Sequence, residues 1–166
     1  MWPPKKQHPV IEQMKAACLE KIGLYDQKIA DEIRRLKKES RGMKPNSEVL
    51  IEGVPLTKTK VKLAIQHNKN LQGYLQSLAQ SITCDKGVRQ SKNLVVMGDN
   101  DELAQLIKVI TLLVGYHTIE NKQRGSLNLA RHRREILNEL TDLKAEFCGV
   151  HNFVPTIISS IAHIDD

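Results

Sequence analysis

The chain has 166 residues, of which 40% are hydrophobic, 27% charged and only 4% aromatic. This length fits one domain, and a core built from aliphatic side chains favours packed helices over an aromatic-rich β-sandwich. The formal charge of +6 permits attraction to anionic partners but is too small to require one.

A first long helix is predicted from about His8 to Ser40, with Pro9 in its first turn, where a missing N–H has no cost. Residues 1–8 are interpreted as a flexible N-terminal tail. The opposite side of this helix is charged, and Asp31 is within reach of Arg34 and Arg35. Apolar side chains recur at steps of three and four, which predicts one buried stripe formed by Ile11, Cys18, Ile22, Tyr25, Ile29, Ile33 and Leu36.

A linker follows over residues 41–56, punctuated by Gly42, Pro45, Gly53 and Pro55. Within it, residues 46–52 fit a short helical turn or an extended segment equally well. The sequence does not decide between the two.

Thr57 or Thr59 is expected to start a second long helix, which runs up to the break at residues 84–87. Residues 88–97 fit either a buried helical turn or a strand, and a helix is favoured because neighbouring strands to pair with are not evident. Asp99 and Glu102 then resemble a capping box at the start of a third helix. This helix is apolar nearly all round and is expected to be the most buried one.

The last long helix is predicted from Ser126 to Gly149, followed by a short apolar helix over residues 155–164. The predicted fold is therefore all-α: an antiparallel bundle of about four long helices plus one or two short helices. Residues 9–166 are assigned to this single helical-bundle domain.

The location of the protein is inferred from its termini and its cysteines. The N-terminus lacks an apolar segment after Lys5 and Lys6, and no apolar run reaches the roughly 18 residues of a membrane span. Cys18, Cys84 and Cys148 are odd in number and far apart, which argues against a disulfide framework. A cytoplasmic or other reducing intracellular location is therefore expected, with the cysteines acting as small buried hydrophobes.

Two possible chemical sites are weighed and set aside. Asp99 follows an apolar run, as a metal-bridging carboxylate does in some metallophosphatases, but the further ligands that such a site needs are absent from the pattern. Cys148 and His151 have the spacing of two zinc ligands or of a nucleophile and its base, but their partners are missing. The chain is therefore expected to be no enzyme and to hold no metal or cofactor.

Two basic groups stand out. Arg34, Arg35, Lys37 and Lys38 lie at the end of the first helix, where the helix dipole favours cations, so a solvated helix end explains them well. At the start of the last helix cations gain nothing from the dipole, and Arg133 falls near the apolar stripe. A phosphate could be held there by Lys122, Arg124, Ser126, Arg131 and Arg134.

These patterns favour a non-enzymatic module that binds a protein partner, as an adaptor, scaffold or regulatory subunit does. Part of the apolar surface is expected to serve docking rather than the core, notably at Tyr25, Leu71, Leu127 and residues 157–164. The alternative is a phosphate-bearing ligand, a phosphoinositide or a nucleic acid, at the Arg-rich start of the last helix.

Overall fold

The computed structural model describes residues 8–83, 101–121 and 127–149, and these are mostly helical. The predicted dominance of helices is therefore confirmed. In chain order the elements are helix α1 (Pro9–Arg41), strand β1 (Glu48–Ile51), strand β2 (Val54–Thr57), and helices α2 (Lys58–Thr83), α3 (Asp101–Asn121) and α4 (Leu127–Gly149).

Helix α1 begins close to where the sequence predicts. His8 precedes it and accepts a hydrogen bond from the backbone N–H of Val10 through Nδ1 (3.2 Å), while Pro9 occupies the first turn. At the other end, the N–H of Gly42 bonds to the carbonyl of Ser40. The predicted stripe is confirmed, and Met14 and Lys21 join it among the buried residues.

Helix α2 starts at Lys58 because Thr57 caps it: the Thr57 hydroxyl oxygen accepts a hydrogen bond from the N–H of Lys60 (3.3 Å). Of the two predicted caps, Thr57 is the one used. The buried side also carries two polar residues, Asn68 and Ser81, whose side chains donate to backbone carbonyls one turn earlier.

Helices α3 and α4 complete the main core. In α3, Val109 is fully buried, whereas Ile107 and Val114 are half-buried. With apolar residues on every side, the pattern could not select the inner face. Within the described ranges one helix, Glu102–Glu120, has the length and apolar composition of a membrane span, a property that the core helix of a globular protein shares.

Two clusters of buried side chains hold the elements together. The main core takes residues from all four helices. A smaller core joins the two strands to the end of α1 and the start of α2, through Leu36, Ile51, Leu56, Val61 and Ala64. The strands are thus fixed over the junction between α1 and α2.

The structure resolves the open question in the linker, since residues 48–51 are extended and pair with residues 54–57. Docking roles for Tyr25 and Leu71 are wrong, because they are 1% and 3% exposed and belong to the main core. The predictions for residues 88–97, for the capping residue Asp99 and for the terminal helix at 155–164 lie outside the described residues.

Candidate functional site

The two strands form an antiparallel hairpin closed by a two-residue turn, Glu52-Gly53. Both turn residues have positive φ, +54° at Glu52 and +78° at Gly53. This backbone matches a type I′ turn, whose twist agrees with that of the strands and which favours glycine where φ is positive. The turn is also tied to α1, because Glu52 accepts a hydrogen bond from Arg35 at 3.1 Å. The hairpin therefore has one defined position over the helices.

Alternation along the strands separates an inner from an outer face. Ile51 and Leu56 are 4% and 0% exposed and enter the smaller core. Leu50 points the other way and is 72% exposed, with Pro55 directly opposite on β2. Leu50 is the most exposed large hydrophobic side chain in the described part of the chain; Leu19 and Leu24 follow at 39% each. We call Leu50 and Pro55 the outer apolar pair.

A groove of about 300 Å³ separates the end of α1 from the start of β1. Half-buried Met43 and Val49 give it apolar walls that continue into the smaller core. Lys38 and Glu39 line it on the helix side and Glu48 on the strand side, all three exposed. The groove therefore combines two apolar side chains with three charged ones.

The basic group at the end of α1 is divided between paired and unpaired cations. Arg34 is hydrogen-bonded to Asp31, and Arg35 bonds to Glu32 as well as to Glu52. Asp31 thus reaches Arg34, as predicted, while Arg35 takes a different partner. Lys37 and Lys38 are exposed, and within residues 8–83, 101–121 and 127–149 neither has a recorded ion pair.

The Arg-rich start of α4 is described only in part. Arg131 and Arg134 are both exposed, while Lys122, Arg124 and Ser126 lie outside the described residues. Arg133 donates to Glu120 of α3 at 2.9 Å, as its predicted place near the apolar stripe allows. The predicted phosphate site is thus seen only as two exposed arginines on one helix.

A buried polar cluster at the centre of the main core is a feature that the sequence analysis missed. Lys21 of α1 is 1% exposed, its Nζ lies 3.5 Å from Oε1 of Glu102 on α3, and it sits 4.3 Å from the ring centre of Phe147 on α4. The ion pair and the cation–π contact together neutralise a charge that would otherwise be costly to bury. The sequence did contain an indication that Lys21 is buried, because Lys21 is three residues from Cys18 and four from Tyr25, within the apolar stripe.

The neighbours of Lys21 have shifted acidities. Burial raises the pKa of Cys18 to about 12, against the opposing effect of nearby Lys21. Burial also raises the pKa of Tyr25, and so does the nearby carboxylate of Glu102, whose negative charge favours the protonated phenol. Both groups remain protonated at neutral pH, so neither is an activated nucleophile.

The prediction that Cys148 is buried is wrong. Phe147 occupies the inward position at 0% exposed, and the next residue, rotated by about 100°, faces solvent. Its proposed partner His151 lies outside the described residues. In the part of the chain that the structure describes, no group of three or more His, Cys, Asp or Glu side chains is arranged to hold a metal ion.

Comparison of the chain with protein-family models, curated proteins and solved structures finds no match in any of the three. The functional argument therefore rests on the hairpin and on the charged groups.

Proposed function

We propose that this chain is a non-enzymatic protein-binding module, an adaptor, scaffold or regulatory subunit, and that the hairpin is its docking element. The observation that carries the proposal is the outer apolar pair. A leucine that is 72% exposed on a rigid hairpin leaves apolar surface in water, and covering it with a partner would recover roughly 1.5–3 kcal/mol. Scattered exposed hydrophobes are common, but this one directly follows Val49, which lines the groove.

The scaffold that carries the hairpin is, in this proposal, an antiparallel four-helix bundle. Two cross-helix ion pairs support opposite directions for α3 and α4. Lys108 lies 3.2 Å from Glu139, and Glu120 lies 2.9 Å from Arg133, so later residues of one helix meet earlier residues of the other. We further propose a reducing intracellular compartment, which the free thiols of Cys18 and Cys148 support.

Photo-crosslinking at position 50 tests the proposal. Leu50 is replaced by benzoylphenylalanine, with the same replacement at Leu24, a 39% exposed leucine on α1, as the matched control. We expect a discrete, saturable adduct with one protein from position 50 only, and we expect untagged wild-type chain to compete for it. Leu50→Ser should weaken the purified complex at least tenfold, while Leu24→Ser should not. Equal adducts at both positions, or none at position 50, would refute the assignment of the hairpin.

The alternative is a phosphate-bearing ligand, a phosphoinositide or a nucleic acid, held by the start of α4. It is favoured by the exposure of Arg131 and Arg134, three residues apart and without a recorded ion pair in the described ranges. Arg131→Glu combined with Arg134→Glu should abolish salt-sensitive binding to phosphoinositide vesicles or to RNA, with the helical circular dichroism unchanged. Reversal of Lys62 and Lys69, exposed cations on α2, is the control. Binding that survives the double reversal at α4 excludes this alternative.

A further inference from the structure

The backbone of β1 has one edge bonded to β2 and one edge that faces away from it. In a hairpin with a two-residue turn, the residues flanking the turn form a hydrogen-bonded pair, and bonded and non-bonded pairs then alternate. Ile51 pairs with Val54 and Val49 with Leu56, so these are the bonded pairs. The N–H and C=O groups of Leu50, and those of Glu48, therefore point outward from β1.

The outer edge of β2 differs, because Pro55 stands opposite Leu50 at a position whose N–H would point outward. Proline has no N–H to donate, which is why it is tolerated there and why it discourages pairing with another strand. Of the two edges of the hairpin, the β1 edge is the one that keeps a full set of donors and acceptors. Within the described residues, none of the backbone–backbone hydrogen bonds outside the helices and strands involves these outward groups.

The groove described above lies beside the first two residues of this same strand. Glu48 and Val49 line it, facing Met43 and Lys38 from the end of α1. A volume of about 300 Å³ is enough for one or two side chains of a partner, and Met43 and Val49 favour an aliphatic one. Edge and groove together form the two parts of a strand-addition site: backbone groups for affinity and a socket for specificity.

The charges around the groove determine which charge a partner segment needs in order to bind there. From residue 37 to residue 48 the chain has four cations, Lys37, Lys38, Arg41 and Lys44, against two carboxylates. The nearby cations Arg34 and Arg35 are already engaged by Asp31, Glu32 and Glu52. The carbonyl end of α1 adds only about half a negative charge, so the surface next to β1 stays positive.

We propose that the outer edge of β1 receives an extended acidic segment of a partner protein as a third strand, with one aliphatic side chain seated between Met43 and Val49. This inference rests on the proposed protein-binding function and specifies its chemistry. The hydrogen bond between Arg35 and Glu52 positions the edge before binding, so ordering costs fall mainly on the partner segment.

A library of random twelve-residue peptides displayed on phage, selected against the full chain, tests the chemistry. We expect enrichment of alternating aliphatic and acidic residues without a central proline. One selected peptide is then synthesised, and its dissociation constant is measured by fluorescence polarisation. Lys38→Glu should weaken binding at least fivefold and Lys69→Glu, an exposed lysine on α2, less than twofold. No enrichment, or peptides that bind the Lys38→Glu protein equally well, would overturn the proposal.

Two substitutions at Leu50 distinguish the contribution of its backbone N–H to binding from that of its side chain. Leu50→Pro removes the outward N–H and Leu50→Thr keeps it, while both remove the leucine side chain. We expect at least a tenfold loss for the proline variant and a smaller loss for the threonine variant. Equal affinities in the two variants would rule out strand addition.

Amide hydrogen exchange in the wild-type chain gives a readout that does not depend on how the proline variant folds. Addition of the selected peptide should slow exchange at the amides of Glu48 and Leu50, which bonding to β2 does not protect. Unchanged exchange at both would also overturn strand addition. If these tests fail while the adduct at position 50 is still observed, strand addition is refuted and the proposed protein binding is retained. If the adduct is absent as well, both proposals are refuted.

Discussion

The buried ion pair of Lys21 and Glu102 allows the sharpest test of how the helices are held together. Lys21→Met keeps the apolar stem against Phe147 and removes the ammonium, which leaves the Glu102 carboxylate at 10% exposure without its cation. Removal of one partner of a buried pair typically costs about 3–5 kcal/mol, because the other charge stays buried.

One feature of the structure places the expected cost at the lower end of that range. Glu102 lies in the first turn of α3, where the helix dipole favours a carboxylate by roughly 0.3–1 kcal/mol. We therefore expect Lys21→Met to cost about 3 kcal/mol, which for a chain of this size lowers Tm by roughly 6–12 °C.

Urea and thermal unfolding, followed by circular dichroism at 222 nm, measure this cost. Lys21→Met combined with Glu102→Leu removes both charges and should lie within about 1 kcal/mol of wild type, since an apolar replacement of a buried pair is often neutral. Lys37→Met, at an exposed position on the same helix, is the control and should change stability by less than about 0.5 kcal/mol. The single variant Glu102→Leu is measured as well. A cost below about 1 kcal/mol for Lys21→Met, or a cost of the double variant equal to the sum of the two single costs, would refute the reasoning.

Three further predictions follow from other parts of the structure. Gly53→Ala forces a side chain onto a residue with φ of +78° and should destabilise the hairpin by about 1 kcal/mol, measured as faster amide exchange in β1 and β2. Arg133→Ala breaks the half-buried pair with Glu120 and should cost roughly 0.5–1 kcal/mol in urea unfolding, with equal loss in Glu120→Gln and no further loss in the double variant. Cys148 should react with a thiol reagent at pH 8 in the folded chain, whereas Cys18 should react only on unfolding. Because the pKa of Cys18 is raised to about 12, its contribution to stability is complete below about pH 9 and falls as pH rises towards 12.

The long helices could be predicted because their information is local. The stripe of α1, the proline in its first turn and the threonine that caps α2 each act within a few residues, and the structure confirms all three. In α3 apolar residues lie on every side of the helix, so the sequence could not show which side faces the core. Val109 is buried and Ile107 is only half-buried, although both are apolar.

Local sequence patterns could not predict the hairpin or the burial of Lys21. The strands are four residues long, and the turn Glu52-Gly53 lacks the asparagine or aspartate that usually marks a type I′ turn. Lys21 occupies a position of the apolar stripe, but a single sequence does not reveal that Glu102 and Phe147, distant along the chain, meet it there. Both features depend on tertiary contacts, which is why local periodicity missed them.

Strand addition at β1 also has an energetic consequence for the kind of partner. The strand offers outward backbone groups at only two residues, Glu48 and Leu50, and each backbone hydrogen bond contributes roughly 0.5–1.5 kcal/mol net. One aliphatic side chain in the groove adds about 1.5–3 kcal/mol, while association and ordering of the partner segment oppose binding. A short edge of this kind therefore supports a weak, rapidly exchanging contact. A stable complex requires further surface, and the outer apolar pair beside the edge is the nearest apolar surface available to a partner that continues across the hairpin.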